Sequence, residues 1–151
     1  QPLDKNVTSY YVGGTFNTPV TGLKFGLAFD DLDVHSVSGE SWVLGAYANY
    51  QATEKLSFNA RGEYVRDRGA QKFFVNSYGE PTVPDKAMAL TLTAQYDLWK
   101  NVMSRLELRW DHSLTDLGVG GGTAGNGSGR PGSRGTQDNA VLLAANIIYK
   151  F

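Results

Sequence analysis

The sequence predicts an all-β fold, an antiparallel up-and-down barrel of transmembrane strands, on three observations. Apolar residues recur with a period of two, composition suits strands and turns, and charges gather on one side of each strand. Glycine numbers 18 among 151 residues and aromatics make up 12%, while long runs of Ala, Leu, Glu and Lys are missing. That balance favours pleated surfaces over helices.

Seven segments carry the alternation. The first, roughly Val7 to Phe16, sets Tyr10, Val12 and Phe16 in register. Leu23 to Asp30 is cleaner, with Leu23, Phe25, Leu27 and Phe29 opposing Lys24, Gly26, Ala28 and Asp30. Ser41 to Tyr50 lines up Trp42, Leu44, Ala46, Ala48 and Tyr50, and Leu56 to Val65 lines up Leu56, Phe58, Ala60, Gly62 and Tyr64. In the fifth, Met88, Leu90, Leu92, Ala94, Tyr96 and Leu98 oppose Ala89, Thr91, Thr93, Gln95 and Asp97. The sixth sets Leu106, Leu108 and Trp110 against Arg105, Glu107, Arg109 and Asp111. The last runs to the C-terminus with Val141, Leu143, Ala145, Ile147, Tyr149 and Phe151 on one face.

Charge placement tests the pattern. Lys24, Asp30, Arg61, Glu63, Asp97, Arg105, Glu107, Arg109, Asp111 and Lys150 all fall opposite the apolar face. Random placement would do this with a probability on the order of one in a thousand.

A two-faced antiparallel sheet suits a soluble barrel with its apolar face inward, or a membrane barrel with that face outward. Three features favour the membrane version. Aromatics bracket smaller residues on the apolar face, as Trp42 and Tyr50 bracket Leu44, Ala46 and Ala48; amphipathic rings gain by lying at headgroup level. Short turns near Asn17–Gly22, Gln51–Lys55 and Trp99–Asn101 alternate with long loops near Asp31–Glu40, Arg66–Lys86 and His112–Asp138, the pattern of outer-membrane barrels. Each segment is about ten residues, enough for a tilted strand to cross the hydrocarbon. A cation on the lipid face at the midplane costs roughly 2–4 kcal/mol, which Arg61, Arg105 and Arg109 avoid only if their face is wet.

Other classes are excluded or weakened. With no cysteine there is no disulfide framework and no thiolate metal site. A net charge of −1 gives no field for nucleic acid. No stretch approaches the 18 or so apolar residues of a spanning helix. No signal peptide stands at Gln1, so a processed or partial chain is expected.

The stretch AYANYQATEKLSFNARGEYVRD, ending at Asp67, resembles the strand–turn–strand units of outer-membrane porins of the OmpL-like β-barrel group. RLELRWDHS (Arg105–Ser113) and NAVLLAANIIYKF (Asn139–Phe151) resemble the last two strands of that group. The resemblance covers roughly Ser41 to the end. It implies a passive diffusion channel for small solutes in a Gram-negative outer membrane, without a cofactor or catalytic residues. Phe151, with Tyr149 and Ile147 in register, is similar to the terminal aromatic signature that outer-membrane proteins present to their assembly machinery.

Bacterial barrels use an even number of strands. The sequence is therefore expected to be, over residues 1–151, the C-terminal part of a single larger barrel domain. An eighth strand lost near Gln1–Lys5 is the alternative.

Lys24, Arg61, Glu63, Asp97, Arg105, Glu107, Arg109 and Asp111 are expected to line the pore. Their mixed signs argue against strong ion selectivity, and opposite charges pairing along a wet wall would explain them equally. The glycine-rich GGGTAG (Gly120–Gly125) matches a dinucleotide-binding pattern, but a strand follows where a helix is needed, so a loop is expected. Asp30, Asp31, Asp33 and Glu40 read as solvated loop charges rather than a cation site. His35–Ser36 and His112–Ser113 do not make a catalytic triad, because adjacent strand residues point to opposite faces. No metal site is expected.

The expected partners are outer-membrane lipid and the barrel-assembly machinery, with a homo-oligomer or a complex partner left open. The pore-side face of the last strand carries Ala140, Leu142, Ala144 and Ile148, too apolar for an open aqueous channel. That patch favours a second reading, a structural or partner-holding barrel with a plugged lumen. A soluble barrel binding a hydrophobic ligand is the third.

Overall fold

The computed structural model describes residues 7–34, 39–68, 84–119 and 137–151. They contain seven strands: β1 (Val7–Asn17), β2 (Leu23–Val34), β3 (Gly39–Gln51), β4 (Leu56–Asp67), β5 (Lys86–Trp99), β6 (Val102–Ser113) and β7 (Asn139–Tyr149). The strands form one antiparallel sheet in sequence order, with β1 and β7 as its edges. No helix occurs among the described residues.

Threonine hydroxyls organise two of the short turns. Before β2, Thr18 Oγ1 accepts from the Val20 amide at 3.1 Å, and Gly22 takes φ 82°, a conformation strained for any residue with a Cβ. Before β4, Thr53 Oγ1 accepts from the Lys55 and Leu56 amides at 3.2 and 3.0 Å. Such local bonds offer the backbone an alternative to the ladder and end a strand cleanly.

Three expectations need correction. Much of Asp31–Glu40, expected as a long loop, is strand: β2 runs to Val34 and β3 begins at Gly39. Asp31 pairs with Trp42 and Asp33 with Glu40, so the polar residues end the apolar band without ending the strands. Residues 35–38 lie outside the described residues. Next, the register shifts between Asp97 and Trp99, so strict alternation through Leu98 fails. The irregularity brings Trp99 opposite Val102, which in turn faces Tyr149. Finally, β7 stops at Tyr149, leaving Lys150 and Phe151 beyond it. The Lys150 amide still donates to the Asn101 carbonyl at 2.8 Å.

Residues directly opposite in an antiparallel pair share a face, so the phase of one strand carries through the sheet. Gly14, Leu27, Ala46, Gly62, Leu90, Trp110 and Val141 form one row on the apolar face. Thr15, Gly26, Tyr47, Arg61, Thr91, Arg109 and Leu142 form the neighbouring row on the other face. Among the charged residues of the described strands, those in the apolar phase are Asp31, Asp33, Glu40, Arg66 and Lys86, all at the end away from the short turns. The apolar band is therefore bounded by charge along the strands.

Only Met103 and Leu117 are buried apolar residues among those described. The sheet is a single layer, and exposure separates its faces. Leu27, Leu44 and Leu106 are about half exposed at 55%, 49% and 51%. Ser57, Thr91 and Met103, all in the phase of the charged residues, are buried. With no second layer to cover them, curvature accounts for the contrast: the charged face is concave and the apolar face convex.

Candidate functional site

The concave face of β4, β5 and β6 carries the charge in layers set by register. Glu63, Ala89 and Asp111 share one row, and Arg61, Thr91 and Arg109 the next. Asn59, Thr93 and Glu107 follow, then Ser57, Gln95 and Arg105. Sign therefore alternates from row to row along the strands.

The layering lets Arg61 and Arg109 each meet a carboxylate on its own strand, two residues along, where the pleat returns a side chain to the same face. Arg61 Nε lies 3.2 Å from Glu63 Oε2. Arg109 grips Asp111 with two nitrogens, Nη2 to Oδ1 at 2.8 Å and Nε to Oδ2 at 2.9 Å. Thr91, between the two arginines, is only 7% exposed and its hydroxyl has no hydrogen-bond partner. Asn49 donates to Asn59 across β3 and β4, and the Thr93 hydroxyl stands 3.4 Å from Glu107 Oε2.

The structure thus brings Arg61, Glu63, Arg105, Glu107, Arg109 and Asp111 onto one stretch of wall. The other two expected lining residues lie apart. Lys24 is opposite Asn17 and Asn49, and Asp97 sits at the register shift facing Met103. Tyr11 and Tyr47, not among the expected lining residues, share the concave phase. Alternation itself could have found Tyr47, which opposes Arg61.

The convex face carries ring clusters at its margins. Trp42 packs on Tyr64 at 5.2 Å and on Phe29 at 6.1 Å. Trp110 stacks on His112 at 5.4 Å, and both reach Asn139, through Trp110 Nε1 at 3.0 Å and His112 Nδ1 at 3.0 Å. Near the short turns, Phe16 packs on Phe25 at 6.2 Å and Tyr149 on Phe151 at 6.5 Å. Ile147, Tyr149 and Phe151 are all exposed.

The remaining candidates separate. Asp30 opposes Tyr11 on the concave face, whereas Asp31 and Asp33 have the convex phase. Among the described residues, no group of three or more His, Asp or Glu side chains could hold a metal ion. His112 is engaged with Asn139, whereas Ser113 is buried and bonded to the Thr115 and Leu117 carbonyls. His35–Ser36 and Gly120–Gly125 lie outside the described residues.

No curated protein and no solved structure matches the chain. The family model described as "Putative beta-barrel porin-2, OmpL-like" matches residues 5–151. With nearly the whole chain matched, and with seven up-and-down strands of the expected two-faced pattern, the chain belongs to this OmpL-like β-barrel porin family.

Proposed function

We propose that this sheet is the wall of a Gram-negative outer-membrane porin, a water-filled pore for passive diffusion of small hydrophilic solutes. One observation carries the reading: the exposed convex face is apolar while the concave face holds the paired charges. A soluble barrel would have the opposite arrangement. The convex band is a surface for lipid, and its ring clusters lie where headgroups meet hydrocarbon. Membership in a porin family points away from an enzyme.

Closure follows from the edges. Unpaired backbone groups in hydrocarbon cost several kcal/mol each, and β1 and β7 run in the same direction, since six antiparallel steps separate them. Antiparallel closure then needs an odd number of further strands, which makes this sheet an arc of a larger barrel. Ile147, Tyr149 and Phe151 serve in this reading as the signal to the assembly machinery, being exposed and adjacent.

The apolar concave patch of Ala140, Leu142, Ala144 and Ile148 favours one other reading, a barrel whose lumen is filled by a plug or a partner. Conductance of the full-length protein in a planar bilayer decides between them. Stepwise ohmic openings with weak ion preference are expected of the pore. Silence from a correctly folded barrel would transfer the assignment to the plugged form.

A further inference from the structure

We infer that the concave wall from β1 to β6 is a binding track for a neutral polyhydroxylated solute, a sugar, centred on Tyr47; the inference rests on the pore reading above. Two clefts, each of about 500 Å³, adjoin on this wall and share Tyr47 and Asn49. The first is floored by Gly13 and Gly26 and edged by Tyr11 and Lys24. Asn59, Arg61, Thr91, Thr93 and Glu107 line the second.

The tyrosines are held by glycines. A Cβ on Gly45 would stand 2.7 Å from the Tyr47 hydroxyl and 3.1 Å from its ring carbons, and a Cβ on Gly13 would stand 2.6 Å from the Tyr11 hydroxyl. Each ring therefore lies against bare backbone along its own strand. Tyr47 remains 38% exposed, so it offers an aromatic surface to a solute moving past the wall. The apolar C–H face of a sugar ring packs on such a surface, and its hydroxyls need polar partners nearby.

Those partners stand beside the ring. The bond from Asn49 to Asn59 uses one donor and one acceptor, leaving the Asn49 oxygen to accept and the Asn59 amide to donate. Thr91, more than nine-tenths buried, lines the second cleft, and its hydroxyl has no hydrogen-bond partner. Arg61 is bound through Nε to Glu63, which leaves its terminal nitrogens as oriented donors. These groups repeat at the strand spacing of about 4.8 Å, within the span of a pyranose ring.

Charge selects against ions. The formal charges of Lys24, Arg61, Glu63 and Glu107 sum to zero, and Arg61 with Glu63 is a contact pair. Lys24 and Glu107 occupy one row but are four strand spacings apart, about 19 Å at the usual spacing. A small zwitterion cannot bridge them.

The test is current block by maltose in planar bilayers holding the full-length protein, with glycine betaine as the zwitterion. Saturable block by maltose and little by betaine is expected. Tyr47→Ala should raise the half-blocking concentration about tenfold and Tyr47→Phe about twofold. Gly45→Ala, which displaces the ring without touching the polar partners, should weaken block in the same direction. An ohmic channel that maltose never blocks, or equal block of wild type and Tyr47→Ala, would overturn the track and leave the pore standing. Stronger block by betaine would overturn the neutral class. A silent barrel would sink the pore reading; calorimetry of maltose with the same folded protein then decides the track. Saturable heat lost in Tyr47→Ala supports it, and no heat overturns it.

Discussion

β6 and β7 are neighbours in continuous register, and their two faces tell different stories. On the convex side they match: Leu106 faces Ala145, Leu108 faces Leu143 and Trp110 faces Val141. On the concave side Glu107 faces Ala144, Arg109 faces Leu142 and Asp111 faces Ala140. In the proposed barrel, lipid would impose the same demand on every strand it touches, which accounts for a uniform convex chemistry. The concave face answers only to what lies beside it, so its chemistry can change from one strand to the next. Between Asn139 and Asn146, β7 is apolar on both faces, which in water-soluble sheets marks a strand covered on both sides.

The largest expected effect exploits the adjacency of Leu142 and Leu143. Leu143→Arg puts a cation on the convex band and should cost about 2–4 kcal/mol of folding stability in bilayers, with loss of assembled barrel in outer-membrane fractions. Leu142→Arg, one residue away, enters the lumen and should cost less than about 1 kcal/mol if water wets β7. Reversible unfolding in lipid vesicles measures both. Equal losses would mean that the concave side of β7 is dry, giving the patch an occupant and favouring the plugged barrel. Equal tolerance would defeat the lipid-facing assignment.

The second comparison concerns the charged-end margin of the same two strands. Asn139 receives Trp110 Nε1 and contacts His112 Nδ1, tying the rings of β6 to the start of β7. Asn139→Ala removes a shared acceptor at the exposed margin of the apolar band, where water can replace it in part. A loss of about 1 kcal/mol is expected, and the emission of Trp110 should change. If stability and emission were both unaffected, the ring cluster would be an ornament of the surface.

Most of the fold was legible because alternation is a property of the backbone. All seven segments and their facing follow from which residues share parity, as Leu27, Leu44 and Leu106 show. Parity failed at Leu98, where a register irregularity shifts the phase, and no composition signal marks that position. Polarity misled at Asp31 and Glu40, because the strands keep their backbone pairing past the end of the apolar band while their side chains change. The charged wall was readable as a list of residues. Its row structure was not, since register between strands depends on the turns and on pairing. Tyr47 drew no notice because an aromatic in the wet phase looks like noise until Gly45 is seen beneath it.

The smallest thermodynamic effect is expected at Asp111, and it sharpens the contrast between charged β6 and neutral β7 most directly. Asp111→Asn keeps the shape and breaks the charge pair with Arg109. The pair is partly solvated, with side-chain exposures of 39% and 26%, so stability should fall by only about 0.5 kcal/mol. Function should move more than stability. Freed from its carboxylate, Arg109 adds one net positive charge to a row that already holds Arg61, and the neutral wall of β7 offers nothing to offset it. Reversal potentials in a salt gradient should shift toward anions, and the shift should shrink as salt rises and screening shortens the reach of the charge. Glu107→Gln is the control on the same strand: it also removes one carboxylate but leaves the Arg109–Asp111 contact intact. Equal anion shifts in both variants would mean that the lumen senses only its total charge. A larger shift for Asp111→Asn would mean that the in-strand pairing, rather than the tally of signs, keeps this wall nearly blind to charge.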